Sequence, residues 1–180
     1  IALNINVFAQ TKHTEYWHAK QKKAEGYILE GEKNGEWKYW YENGVIESEG
    51  QYINGNKVGQ WKYYYKNASL RLNEANDNGV SVQYFTYPDK KEFEGEMKNG
   101  KRHGTWRFWY FDGKLLSIQH YDEGIYVGTW EYWHPNGKKW KVIPSENGTV
   151  EIWDSIGVKV EEWNVYEGKK NGKYIAYFPN

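Results

Sequence analysis

Cysteine is absent from this chain, proline occurs four times and methionine once, and neither sign of charge prevails: Lys plus Arg and Asp plus Glu both number 24. Without cysteine there is no disulfide framework, no thiol nucleophile and no thiolate metal site, and the chain is compatible with either redox compartment. Balanced charge with the signs mixed along the sequence removes the usual argument for nucleic acid or an anionic membrane surface. No stretch approaches the roughly 20 apolar residues of a membrane-spanning helix. No apolar stripe at i, i+3, i+4 persists through a turn-free window, so no substantial helix is expected.

What is abundant is aromatic: 11 Trp, 17 Tyr and 6 Phe at a mean hydropathy of -0.99. Disordered chains are poor in aromatics and rich in net charge, so this composition belongs to a folded protein. The aromatics recur in a phrase, Gly-x-Trp-x-(Tyr/Phe)-(Trp/Tyr)-(Tyr/His)-x-(Asn/Asp)-(Gly/Ala), opening at Gly35, Gly59, Gly104 and Gly128. Self-similarity at a period near 24 residues marks a repeat array, in which units too small to bury a core stack on their neighbours.

The spacing of 18 from Trp37 to Gly55 returns from Trp61 to Gly79, Trp106 to Gly124 and Trp130 to Gly148. Counting the same interval back from Gly100 and Gly168 puts Val82 and Val150 in worn tryptophan positions. On that count, length changes fall between the Gly and the next Trp position, in loops. Ala68 replaces a turn glycine. Tyr16-Trp17 opens a degenerate first copy, and the last copy stops at Asn180, so the chain reads as part of a longer array.

Within a copy the period is two. Trp37, Tyr39 and Tyr41 face one way, Lys38, Trp40 and Glu42 the other. Asn43-Gly44, Asp112-Gly113 and Asn136-Gly137 then supply the pair of positive-φ residues of a type I′ hairpin turn. The expected fold is therefore all-β: an elongated antiparallel meander of stacked hairpins of about 24 residues in a single twisted sheet. Residues 11–180 form one array of about seven copies. Residues 1–10 read either as the tail of a secretory signal, which implies export, or as a first strand, which leaves a cytoplasmic location open. Gly50 and Gly95, inside strands, are expected to admit a neighbouring aromatic ring.

The run Phe93-Glu94-Gly95-Glu96-Met97-Lys98-Asn99-Gly100-Lys101-Arg102-His103-Gly104 resembles a MORN repeat, and the following Gly-x-Trp phrase resembles the bacterial MORN variant of YwqK-type antitoxin-like proteins. The likeness extends over residues 26–180. It implies a stack of hairpins and an interaction module, lipid-associated scaffold or antitoxin; it carries over no catalytic residue, because the motif residues are structural.

Chemistry finds little support in the residues. His134 takes the place of Tyr41 and Tyr110, His103 is read as a turn residue beside Gly104, and His120 is equivalent to Gln51, so the histidines do not converge by spacing. Glu47 and Glu49, or Glu92, Glu94 and Glu96, alternate as a solvated strand face does. A one-layer sheet offers no deep cleft for paired carboxylates, and there is neither a phosphate loop nor a Gly-x-Ser-x-Gly elbow. These features argue against an enzyme, a metal or a cofactor.

What remains is a stripe: Trp40, Trp109 and Trp133 share one repeat position, with Tyr64 and Phe85 assigned to it elsewhere. It alternates against Trp37 and is either a binding surface or a second buried layer. As a surface it suits another protein first, since Tyr and Trp anchor interfaces, with a glycan or lipid as alternatives. Nucleic acid is disfavoured for want of a basic groove.

Overall fold

A computed structural model of the chain describes residues 9–86 and 90–178. The signal-peptide reading of the N-terminus falls almost wholly outside them. The first eight strands are β1 (Thr11–His18), β2 (Gln21–Leu29), β3 (Glu32–Trp40), β4 (Ile46–Ile53), β5 (Asn56–Tyr64), β6 (Leu70–Ala75), β7 (Gly79–Tyr84) and β8 (Lys91–Lys98). The rest are β9 (Lys101–Trp109), β10 (Leu115–Asp122), β11 (Ile125–Tyr126), β12 (Thr129–Trp133), β13 (Lys139–Pro144), β14 (Gly148–Trp153), β15 (Lys159–Tyr166) and β16 (Lys169–Ala176). They form one 16-stranded antiparallel sheet in chain order, with the short β11 pairing only β10. The path from β1 to β16 does not close, so this is an open meander. Its surface of 11656 Å² exceeds the roughly 9,100 Å² of a compact protein of this mass, as expected for an extended layer. Among the described residues no helix is long and apolar enough to cross a membrane.

A single layer buries tryptophan by laying it on its neighbour. Trp37 and Trp61 are fully buried and Trp106 nearly so, because each indole lies over a glycine of the preceding strand. A Cβ on Gly26, Gly50 or Gly95 would stand 2.3, 2.4 or 2.1 Å from the ring of Trp37, Trp61 or Trp106. Each indole Nε1 then donates to the carbonyl of the next residue, Tyr27, Gln51 or Glu96, at 3.1 Å. The outer side of the ring is closed by a cation: Lys33, Lys57 and Arg102 sit 4.3 Å from the centroids of Trp37, Trp61 and Trp106. The long stem covers the ring while the charge reaches water. Small residues alternate with large ones here. Ser48 pairs with Tyr39 and Tyr63, and Ser117 with Phe108 and Tyr132. Trp130 shows the dependence on glycine: Gln119 stands where Gly95 stands, and Trp130 is only partly buried.

The turns differ from the sequence expectation in type. Asn43 is absent from the residues of positive φ and Gly44 has φ 83°. Gly44 N–H donates to Tyr41 O and Tyr41 N–H to Val45 O, both at 2.9 Å. This is a three-residue loop, a type I turn closed by a left-handed residue, rather than type I′. The Asn43 side-chain oxygen accepts the Val45 N–H at 3.2 Å and holds Asn43 in place. Type I′ geometry occurs at the other edge, where Asn54-Gly55 and Asn99-Gly100 have positive φ at both residues. Ala68 keeps the glycine conformation at φ 67°.

One copy is out of register with the spacing argument. Ser81 is buried and opens with Gly79 as Trp61 does with Gly59, whereas Val82 pairs with Glu94 on the opposite face. The count fails because the hairpin holds an extra residue: Phe85 N–H donates to Lys90 O, one position further than Tyr41 to Val45. Val150 does occupy the tryptophan position and is buried. Both worn copies follow a shortened turn, and each solves the backbone differently. Ser81 Oγ accepts the Ala75 N–H at 3.0 Å; at Val150, which has no acceptor, the residue equivalent to Ala75 is Pro144, which has no N–H. Ser81→Val should cost about 1–3 kcal/mol by orphaning that donor, and adding Ala75→Pro should recover most of it. Urea unfolding of the single and double variants checks this, and purely additive effects would contradict it.

Candidate functional site

The face opposite the tryptophan layer carries a row rich in charge that crosses the sheet, interrupted by Asn73, Val82, Ile118 and Val142. Glu25, Lys38, Glu49 and Lys62 are directly paired on β2 to β5, and Glu94 pairs with Arg107 on β8 and β9. Opposite charges on adjacent strands favour one register, since a one-residue slip would exchange the two faces. Lys22 Nζ lies 2.7 Å and Lys12 Nζ 3.3 Å from Glu25. Lys38 lies 3.2 Å from Glu49, Lys139 lies 2.8 Å from Glu131, and Lys159 bridges Glu151 and Glu162. Hydrogen bonding to Lys22 holds the Glu25 carboxyl below its usual range, against some burial. Burial opposes the Glu49 charge, but the Tyr64 hydroxyl at 2.8 Å and Lys38 outweigh it and the carboxyl also titrates low. Burial, with the Glu49 carboxylate as partner, pushes Tyr64 up to about 12.

Beside this row, toward the three-residue turns, lies the aromatic stripe. Trp40, Tyr64, Trp109 and Trp133 end β3, β5, β9 and β12, and all four are half-buried. Their face is fixed by the cations they share with the charged row. Lys22 stands 5.6 Å over Trp40 while bonding Glu25, and Lys91 stands 5.9 Å over Trp109 while bonding Glu94. Register moves Phe85 out of the stripe. Its backbone bond to Lys90 is the one Tyr41 makes to Val45, and Tyr84, paired with Lys91, holds the Trp40 position. Three members escaped the sequence reading: Tyr84; Trp153, paired with Lys159; and Tyr16, paired with Lys22. The dipeptides Tyr16-Trp17 and Tyr84-Phe85 carry the signal, an aromatic pair closing a strand.

The residue after most stripe members stitches neighbouring hairpins together. Tyr41 and Tyr110 hydroxyls donate to the Tyr64 and Trp133 carbonyls at 2.8 Å, Tyr65 to Tyr84 at 3.0 Å, and Trp17 Nε1 to Trp40 at 2.9 Å. His134 makes the same contact to Trp153 O at 2.9 Å, so its Nε2 carries the proton. The histidine is thus a tyrosine substitute, as its place in the repeat indicates. His103 lies within β9 rather than in a turn, its Nδ1 3.1 Å from Asp122, and His120 Nδ1 meets Thr105 Oγ1 at 3.1 Å. Among the described residues no three His, Asp or Glu side chains converge as metal ligands would. A shallow dent of about 210 Å³ lies over β3 to β5 on the charged face, walled by Glu36, Lys38, Glu49, Gln51, Gln60 and Lys62.

An open β-meander of repeated hairpins, with structural residues on one face and a charged row and aromatic stripe on the other, is the architecture of a repeat protein. Three stretches, residues 33–54, 102–123 and 126–147, match the family described as MORN repeat variant. They are the β3–β4 and β9–β10 hairpins and β12–β13 with its approach, and together they cover about a third of the chain. No curated protein matches the chain.

Proposed function

We propose that the protein is a non-enzymatic scaffold that captures another protein on the stripe face. One observation carries this reading. The core tryptophans Trp37, Trp61, Trp106 and Trp130 place their N–H groups on backbone carbonyls, whereas those of Trp40, Trp109, Trp133 and Trp153, like those of Trp140 and Trp163 toward the C-terminal end of the structural face, meet no acceptor among the described residues and are not among the buried unpaired groups. The fold does not require these polar tips, and an amphipathic ring with a solvated donor is a common interface anchor. Neutralising a toxin is one form such capture takes, and export would place it in the cell envelope.

Replacing Trp40, Trp109 and Trp133 together with Ser should abolish partner capture from the native host while far-ultraviolet circular dichroism keeps its β signature. Unfolding of this variant would make the stripe a second core and end the proposal.

A further inference from the structure

Resting on that reading, we infer that the stripe receives a proline-rich segment in the polyproline II conformation, running along the sheet and across the strands. The spacing of the stripe matches that of such a helix. Stripe residues recur on every second strand of the path, β3, β5, β7, β9, β12 and β14. At about 4.8 Å per strand they stand roughly 9.6 Å apart. A polyproline II helix has three residues per turn at about 3.1 Å each, so one of its edges repeats every 9.3 Å or so. Sheet twist turns the row by roughly 45° per platform, so a straight helix meets about three platforms before leaving the face.

Hydrogen bonding and charge are complementary as well. The stripe offers donors, the open indole N–H groups. The neighbouring carboxylates already have cationic or hydroxyl partners: Glu25 has Lys22 and Lys12, Glu49 has Lys38 and Tyr64, Glu94 has Lys91, and Glu131 has Lys139. A ligand that brings acceptors and no donors fits such a surface. Proline has a carbonyl and no N–H, and the polyproline II backbone leaves its carbonyls unbonded. The carboxylates beside the stripe are charge-paired, so the face complements an uncharged ligand.

The test is titration of protein with 15N-labelled tryptophan by a twelve-residue proline peptide, with a neutral β-linked glucan oligosaccharide as the second arm. Expected are saturable shifts in the indole signals of Trp109, Trp133 and Trp153, on three consecutive platforms, and from a second bound peptide in that of Trp40, with Trp37, Trp61 and Trp106 unmoved. Trp109→Phe, which keeps the ring and removes the donor, should weaken binding about fivefold, the effect of one hydrogen bond. No shift at millimolar peptide, or equal shifts in both sets of tryptophans, overturns the inference. Shifts of the four stripe signals by the glucan alone overturn it too, but leave the stripe as a binding surface. Loss of natural-partner capture in the triple serine variant reports on the stripe reading independently of either probe.

Discussion

Gly95→Ala lowers the stability of the whole array by about 3 kcal/mol or more, visible as a large shift of the urea midpoint. The added methyl carbon would lie 2.1 Å from Cδ2 and 2.4 Å from Cγ of Trp106, atoms of a rigid ring rather than the end of a flexible chain. The ring has nowhere to go. Its Nε1 is tied to Glu96 O at 3.1 Å and Arg102 covers its outer side. Overpacking a well-filled site typically costs about 1–3 kcal/mol, and here displacement also breaks the indole hydrogen bond, worth about 1 kcal/mol more. Trp106→Leu should be damaging alone yet should mask most of the Gly95→Ala cost, because the clash is with the indole. An unchanged midpoint in Gly95→Ala would show that the ring does not lie on the strand.

Trp61→Ala is the complementary deletion and should cost about 3–5 kcal/mol, the usual range for removing a buried large aromatic. Trp61 is fully buried between the Gly50 backbone and Lys57, with Tyr52 edge-on at 5.0 Å and Tyr63 at 6.2 Å. Its loss opens the N-terminal cluster of Ala24, Trp37, Tyr52 and Trp61. The same change at stripe residue Tyr64, which is half-buried, should cost far less. Equal costs at the two positions would erase the distinction between the faces. Thermal unfolding of both variants measures it.

Much of the fold was legible because the physics is local. Trp37 and its equivalents read as core from spacing alone, and Gly50 and Gly95 read as points of close approach because they lie inside strands, where glycine often admits a neighbouring group. His134 was legible as a tyrosine substitute from its place in the phrase. The Val82 assignment failed because it counted back from Gly100 across a hairpin with one extra residue; the Gly79-x-Ser81 phrase held the true register. The same slip put Phe85 in the stripe in place of Tyr84. The Asn-Gly pairs named the positions of turns but not their type, because the same two letters serve both a three-residue loop and a type I′ turn. The charged row was invisible for a different reason. Glu25, Lys38, Glu49 and Lys62 become neighbours only once pairing register is set, and register is a property of adjacent copies rather than of one.

The central claim is that two tryptophan ladders lie on opposite faces, one spent on structure and one open. Hydrogen exchange of the assigned indole N–H protons tests it most directly. The N–H groups of Trp37, Trp61, Trp106 and Trp130, bonded to backbone carbonyls at 3.1 Å, should exchange slowly, the buried ones on the timescale of global unfolding. Those of Trp40, Trp109, Trp133 and Trp153 should exchange at close to the solvent-exposed rate. Protection of the second set equal to that of the first would contradict the account.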